Sequence, residues 1–277
     1  MGPLTEHRGG LMPTYDTPRP ITALVEIAAG AVRLTATDRD DTVVDVRPRD
    51  PERAQDVRAA EQVRIDFADG TLSVQSPRGF SFPRRGAVVV DVGLPSGSRL
   101  SASVVSASLT ADGEYADCRL ASASGDLTVE SATGDVKADT ASGDVSVGSA
   151  KAASVSTASG DATFGEVRGD VRFRTASGAV TVGRLDGALN AQSASGDVCV
   201  KAAVAGDISV QTASGDFTLG IVAGTAAKLD VRTGSGSVRS ALESSDGPAA
   251  GDRTLTVRAR TGSGDVTVRR AGDPMAA

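Results

Sequence analysis

The stretch TASGD stands at residues 140–144, 157–161 and 212–216, with close copies between and beyond these positions. Aligned on its glycine, the strong form (Ser/Thr-Ala-Ser-Gly or Thr-Gly-Ser-Gly) ends at Gly125, Gly143, Gly160, Gly178, Gly196, Gly215, Gly236 and Gly264. The steps between them are 18, 17, 18, 18, 19, 21 and 28 residues. A weaker glycine, at Gly134, Gly169, Gly187 or Gly206, falls nine or ten residues after a strong one. The period is therefore 18 residues in two unequal halves, and internal repetition at this length predicts a solenoid.

Each half has the same interior. Two and four places after a glycine stand Leu127 and Val129, Val136 and Ala138, Val145 and Val147, and so on to Val266 and Val268. Apolar residues alternating with polar ones over four or five positions predict a short strand buried on one face, and the three-and-four spacing of a helix is absent. The glycine is read as a corner needing positive φ, and the Asp after it as a partner for local backbone, as in an Asx turn. The expected fold is all-β: a parallel β-solenoid of about 18 residues per coil with two short strands. The handedness rule for parallel crossovers makes it right-handed. Four buried aliphatic side chains do not offset the entropy of ordering 18 residues, so each coil depends on its neighbours.

The pattern weakens upstream. Gly30 is followed by Val32 and Leu34, and Gly70 by Leu72 and Val74, at the same offsets. Residues 21–100 therefore read as irregular N-terminal β coils, with a short helix near 50–62 in which Asp50 is the N-cap and Pro51 the first helical residue. Residues 101–270 read as the regular solenoid, interrupted by a surface loop at 240–253, with tails at 1–20 and 271–277.

Composition narrows the function classes. Hydrophobic residues are 40% of the 277 but aromatics only 3%, so the core is built from aliphatic side chains. A net charge of −6 excludes the basic footprint of a non-specific nucleic-acid binder. No run of 18 apolar residues predicts a transmembrane segment. Residues 1–20 lack the apolar run and cleavage site of a secretion signal, and two cysteines 81 positions apart form no metal or disulfide spacing. A cytoplasmic location is expected from these features.

Three segments in combination, VEIAAGAVRLTATDRDDTVVDVRP (25–48), VVVDVGLPSGSRL (88–100) and the serial SASGDVTV-like units, resemble a bacterial β-strand-repeat family of unknown function whose members are called adhesin-like. The resemblance covers about residues 20–270. It implies a setting in adhesion or in cell-envelope stress.

Candidate chemistry is sparse. Calcium-binding nine-residue repeats use G-G-x-G-x-D, whereas here one glycine precedes each Asp and the Asp is replaced by Ala179 and Ser237. Arg168-Gly169-Asp170 has the form of an integrin-binding tripeptide but falls where a weak corner belongs. A carbohydrate-active β-helix enzyme needs converging acids in a groove, and the single histidine is His7. No catalytic, cofactor-binding or metal residue is assigned, and no cofactor is expected. What remains is an outward column three places after each strong glycine: Thr128, Ser146, Thr163, Thr181, Cys199, Thr218 and Thr267. Threonine suits exposed strand positions. A flat hydroxyl strip also suits an interaction face for an unidentified protein partner or for self-association. Arg258, Arg260, Arg269 and Arg270 make the C-terminal end basic. The reading is a non-catalytic β-solenoid scaffold or interaction module; a carbohydrate-active enzyme and a calcium-binding adhesive repeat are the alternatives.

Overall fold

The computed structural model describes residues 13–77, 86–243, 247 and 251–272. The chain forms two compact units, Met1–Asp144 and Val145–Ala277. In the first, the strands are β1 (Thr14–Asp16), β2 (Thr22–Thr37) and β3 (Asp41–Pro48), followed by helix α1 (Ala54–Glu61). Then come β4 (Arg64–Ala68), β5 (Thr71–Gln75), β6 (Val88–Pro95), β7 (Ser98–Ser122), β8 (Leu127–Ala132) and β9 (Asp135–Thr140).

The second unit begins with β10 (Val145–Ala150), β11 (Ala152–Thr157), β12 (Ala162–Val167) and β13 (Val171–Ser177). It continues through β14 (Val180–Asp186), β15 (Leu189–Ser195), β16 (Val198–Ser214) and β17 (Phe217–Ile221). It closes with β18 (Thr225–Ser235), β19 (Val238–Ser240), β20 (Arg253–Ser263) and β21 (Val266–Arg270).

Every strand of the second unit pairs in parallel with the strand one coil away, and equivalent repeat positions face each other: Val145 lies beside Ala162, Ala162 beside Val180, and Val180 beside Val198. This is the parallel β-solenoid that the period requires. The alternating residues from Leu127 and Val129 to Val266 and Val268 are buried. A further inward column, absent from the sequence reading, runs through Ala150, Val167, Leu185, Ala203 and Ile221. It stands near the far end of the first strand of each coil. The rungs of the second unit are mainly aliphatic, with Phe164, Phe173 and Phe217 fully buried among them.

The coils do not follow sequence order. In the second unit β20 lies between β16 and β18, and β21 lies between β17 and β19. The last coil in sequence is thus the penultimate coil in space. The first unit does the same at its start: β2 pairs with β5 and β6 on one side and β7 on the other. β2, β20 and β21 therefore each have ladder partners on both sides. The 28-residue step from Gly236 to Gly264 is the trace of this detour in the sequence.

The N-terminal region departs from the expected coils. Asp69 (φ 50°) and Gly70 (φ 70°) form the two-residue turn of an antiparallel hairpin between β4 and β5. β3 runs antiparallel to β6, and β1 antiparallel to β3. Thr14–Asp16 thus belongs to the sheet rather than to a tail, pinned by the buried Thr17–Thr42 hydroxyl contact at 2.8 Å. The helix is shorter than expected and Arg53, not Asp50, is its N-cap. Asp50 instead accepts the Glu52 amide at 2.9 Å, so Pro51 serves a turn before the helix. The buried Asp56 fastens α1 by accepting the amides of Asp50 at 3.2 Å and Ala87 at 3.1 Å. β7 runs through the expected boundary at residue 100, because its first half is the coil that seals β2.

The corner glycines have a different cause from the one read in the sequence. Gly125, Gly143, Gly178, Gly196, Gly236 and Gly264 are not at positive φ. A Cβ on Gly143 would lie 2.2 Å from the Gly125 carbonyl oxygen, one on Gly178 2.2 Å from that of Gly160, and one on Gly196 2.0 Å from that of Gly178. The contacts continue through Gly215 on Gly196, Gly264 on Gly215 and Gly236 on Gly264. Backbone touches backbone at each corner, and a side chain has no room. Positive φ occurs at a weak corner, Gly206 (φ 115°).

This distinction is measurable by urea denaturation. Gly196→Ala should cost roughly 3 kcal/mol, the upper end for overpacking, because no flexible group can yield. Gly70→Ala meets nothing within 4 Å and should cost about 1 kcal/mol for its backbone conformation alone. Equal costs would contradict the close-approach account.

Candidate functional site

The outward surfaces of the coils are the candidate site, and the corner decides how each column is held. Its first residue is a hydroxyl. Ser122 Oγ accepts the Gly125 amide at 2.8 Å and Thr140 Oγ1 accepts the Gly143 amide at 3.0 Å. Thr261 Oγ1 donates to the Gly215 carbonyl at 3.3 Å, and Thr233 Oγ1 to the Gly264 carbonyl at 3.1 Å. Within the first unit Ser122 stacks on Thr140; within the second, Thr157, Thr175, Ser193, Thr212, Thr261 and Thr233 stack in register. The sequence reading left this letter of TASGD unexplained.

The aspartate closes the motif by joining coils, not by forming a local turn. Asp126 Oδ1 accepts the Asp144 amide at 3.1 Å, and Asp161 Oδ1 the Ala179 amide at 2.8 Å. Asp197 serves Asp216, Asp216 serves Asp265, and Asp265 serves Ser237, each at 2.8 Å. Each carboxylate oxygen thus takes up an amide on the adjacent coil at a bend where the regular ladder is interrupted. Ser237 breaks the series in the coil of β19, on which no further coil stacks among the described residues. Asp265, last in sequence but penultimate in space, retains its acid.

The hydroxyl column assembles as its spacing requires. In the second unit Ser146, Thr163, Thr181, Cys199, Thr218 and Thr267 are Cα partners in succession, and Arg239 continues the series. In the first unit Thr128 stacks on Thr110. Ser146 and Thr163 are exposed, while Thr181, Cys199, Thr218 and Thr267 are half-buried. Two places further along the strand stand Gly148, Gly165 and Gly183, which sequence reasoning did not single out. A Cβ on Gly165 would lie 2.3 Å from the Gly148 carbonyl oxygen, so these glycines allow neighbouring strands to approach closely. They also leave the hydroxyls of three coils beside bare backbone. The signal was the recurrent Val-Ser/Thr-Val-Gly or Ala-Thr-Phe-Gly ending of the first strand of each coil.

The opposite series of outward residues is cationic and amidic. Ser154, Arg172, Asn190, Ser209, Arg258 and Asp230 form one column, and Ser156, Arg174, Gln192, Gln211, Arg260 and Arg232 the next. A depression of about 500 Å³ along this face is lined by Gln192, Gln211, Arg260 and corner residues, with no carboxylate among them. Arg270 is occupied by the Val222 and Thr225 carbonyls at 3.4 and 3.1 Å. In the Arg168-Gly169-Asp170 tripeptide Arg168 pairs with Glu166 at 3.2 Å and Asp170 with Arg172 at 3.4 Å. Among the described residues no group of three His, Cys, Asp or Glu could hold a metal, and no helix is long and apolar enough to cross a membrane.

A parallel β-solenoid whose corners are glycine contacts tied by hydroxyls and carboxylates defines the class of protein. The chain belongs to the Toastrack family, DUF4097, whose model matches residues 25–269. No curated protein matches it. Among solved structures it is similar to a "putative adhesin" of Bacteroides fragilis at 10% identity, covering 95% of this chain and 98% of that one with a TM-score of 0.45. It is also similar to a "putative lipid binding protein" of Parabacteroides distasonis at 13% identity, covering 94% and 97% with a TM-score of 0.44.

Two outcomes follow from the columns. Cys199 faces outward in the hydroxyl strip, whereas Cys118 is fully buried and its thiol is pushed up to about 12 by burial and then by the Asp117 charge. A thiol reagent at neutral pH should label Cys199 in the native protein and Cys118 only on unfolding; equal labelling would refute this register. The Asp265 carboxyl is held below its ordinary value of 3.8, first by the Ser237 amide, with the Arg239 charge adding to it. A lowered folded value means that its contribution is present above pH 3.8 and is lost as pH falls through the folded value. Asp265→Asn, which keeps the oxygen acceptor, should flatten the acid limb of the stability curve. An unchanged acid limb would remove Asp265 as a contributor.

Proposed function

We propose that this protein is a non-catalytic interaction scaffold whose contact surface is the hydroxyl column of Ser146, Thr163 and Thr181 with the adjoining glycines. The observation carrying this reading is the pairing of the two columns: three successive coils present hydroxyls next to backbone free of side chains. A rigid, flat surface of this kind loses little conformational entropy on binding. The corner acids, which an enzyme reading would recruit, are each engaged with an amide of the next coil. They are dispersed along the stack instead of converging on one groove. The setting consistent with the family resemblance is adhesion or envelope stress, with a protein as partner.

Thr163→Arg combined with Thr181→Arg tests the surface, since both positions face outward and the fold should keep its melting temperature. Affinity capture from native cells should yield partners with the unaltered protein that the doubly substituted protein loses. Identical capture by both would discard this face.

A further inference from the structure

The spatially last coil of the second unit ends in an open edge. Among the described residues β18 pairs with β20 and β19 with β21, and neither has a strand on its other side. Its inward positions are those of an interior coil, yet they are not covered. Leu229 lies beside Val257, and Val231 beside Ala259; the β20 residues are buried and the β18 residues half-exposed. Val238 is 50% exposed, while Val266 beside it is fully buried. The outermost coil of the first unit is treated otherwise, with the antiparallel strands β3 and β4 laid on β6 and β5. Edge strands with unpaired amides and half-exposed aliphatics are sites of strand addition unless they are blocked.

The charges on β18 select what can add there. Lys228, Asp230 and Arg232 point outward in alternating sign, flanking the inward Leu229 and Val231, and Arg232 pairs with Asp230 of its own strand at 3.3 Å, a pair that an added strand can exchange for contacts across the edge. Antiparallel pairing puts residues of the same face opposite each other. A two-fold axis centred on Asp230 would set Lys228 against Arg232, which is repulsive. An axis centred on Val231 sets Asp230 against the second copy's Arg232, and the reverse, while joining the two Val231 side chains on the inner face. An Arg–carboxylate pair across strands can form the bidentate contact that a lysine cannot.

We propose that β18 pairs antiparallel with β18 of a second copy of this chain about an axis at Val231, joining two solenoids end to end. The pairing closes the β18 edge of each copy and returns Leu229 and Val231 to the environment of an interior coil. The overlap, residues 227–235 on each chain, is small for a protein interface, so association should depend on concentration.

Sedimentation of the full chain over roughly 1 µM to 1 mM tests this. The wild type should pass from monomer to dimer, and D230R and R232D should each stay monomeric while keeping their melting temperatures. Mixing D230R with R232D should restore a one-to-one dimer, because both interchain charge pairs are then opposite in sign. A second measurement is independent of charge. In a C199S background, V231C should form an interchain disulfide on mild oxidation, because the two positions are direct cross-strand neighbours, whereas T233C should not. A wild type that stays monomeric throughout, a D230R and R232D mixture that does not associate, or equal cross-linking of V231C and T233C would overturn the proposal.

Discussion

The contact on which the structure rests is that of one corner glycine with the carbonyl oxygen of the corner one coil away. At Gly196 on Gly178 and Gly178 on Gly160 the backbones meet with no side chain between them. Coils at that separation can pair their strands along their length, and strand pairing buries the aliphatic rungs. A methyl group at the corner would hold the coils apart where the amide ladders on either side must stay in register. The other letters of TASGD serve the same contact. At Ser122, Thr140, Thr233 and Thr261 the hydroxyl holds the corner glycine's own amide or the carbonyl of the neighbouring corner, and the carboxylate takes up an amide of the next coil.

A stack of interdependent coils is weakest where it stops, and the chain ends are the segments most exposed to fraying. Both units address this with one device. In the first unit β2, and in the second β20 and β21, are inserted between other coils, so each has strands on two sides. The outermost places go to chain that is held at both of its ends by continuing structure. In the first unit the hairpin of β4 and β5, the antiparallel β3 and helix α1 add a cover; Asp56 provides the anchor between α1 and the segment entering β6.

The same regularity shapes what the surface can do. Each outward position repeats on every coil, so chemistry appears in columns and not in clusters. A column of acids occupied by amides has little left for a substrate. A column of hydroxyls flanked by glycines is flat and rigid, which favours contact over reaction. The arginines and glutamines of the other face are arrayed in the same way, with Gln192 and Gln211 side by side and Arg260 next in the series.

Much of the fold was written in the sequence. The 18-residue step, the alternation after each glycine and the hydroxyl column all depend on period alone, and period is a property of neighbours in the chain. The inward slots from Leu127 to Val268 and the outward series from Ser146 to Thr267 stand where that period puts them. What sequence could not settle depends on which coil lies beside which. Whether a glycine serves a left-handed turn or a close approach is decided by the atom across from it, and for Gly196 that atom belongs to Gly178. Whether an aspartate caps its own turn or the next coil is decided in the same way. The insertion of β20 between β16 and β18 left only a long step in the spacing, because the detour is a choice among pairings that satisfy the same local pattern. Composition and period determined the coil; the order of the coils, and with it the edge left open at β18 among the described residues, was decided by which strands pair in space, β2 lying between β6 and β7 and β20 between β16 and β18.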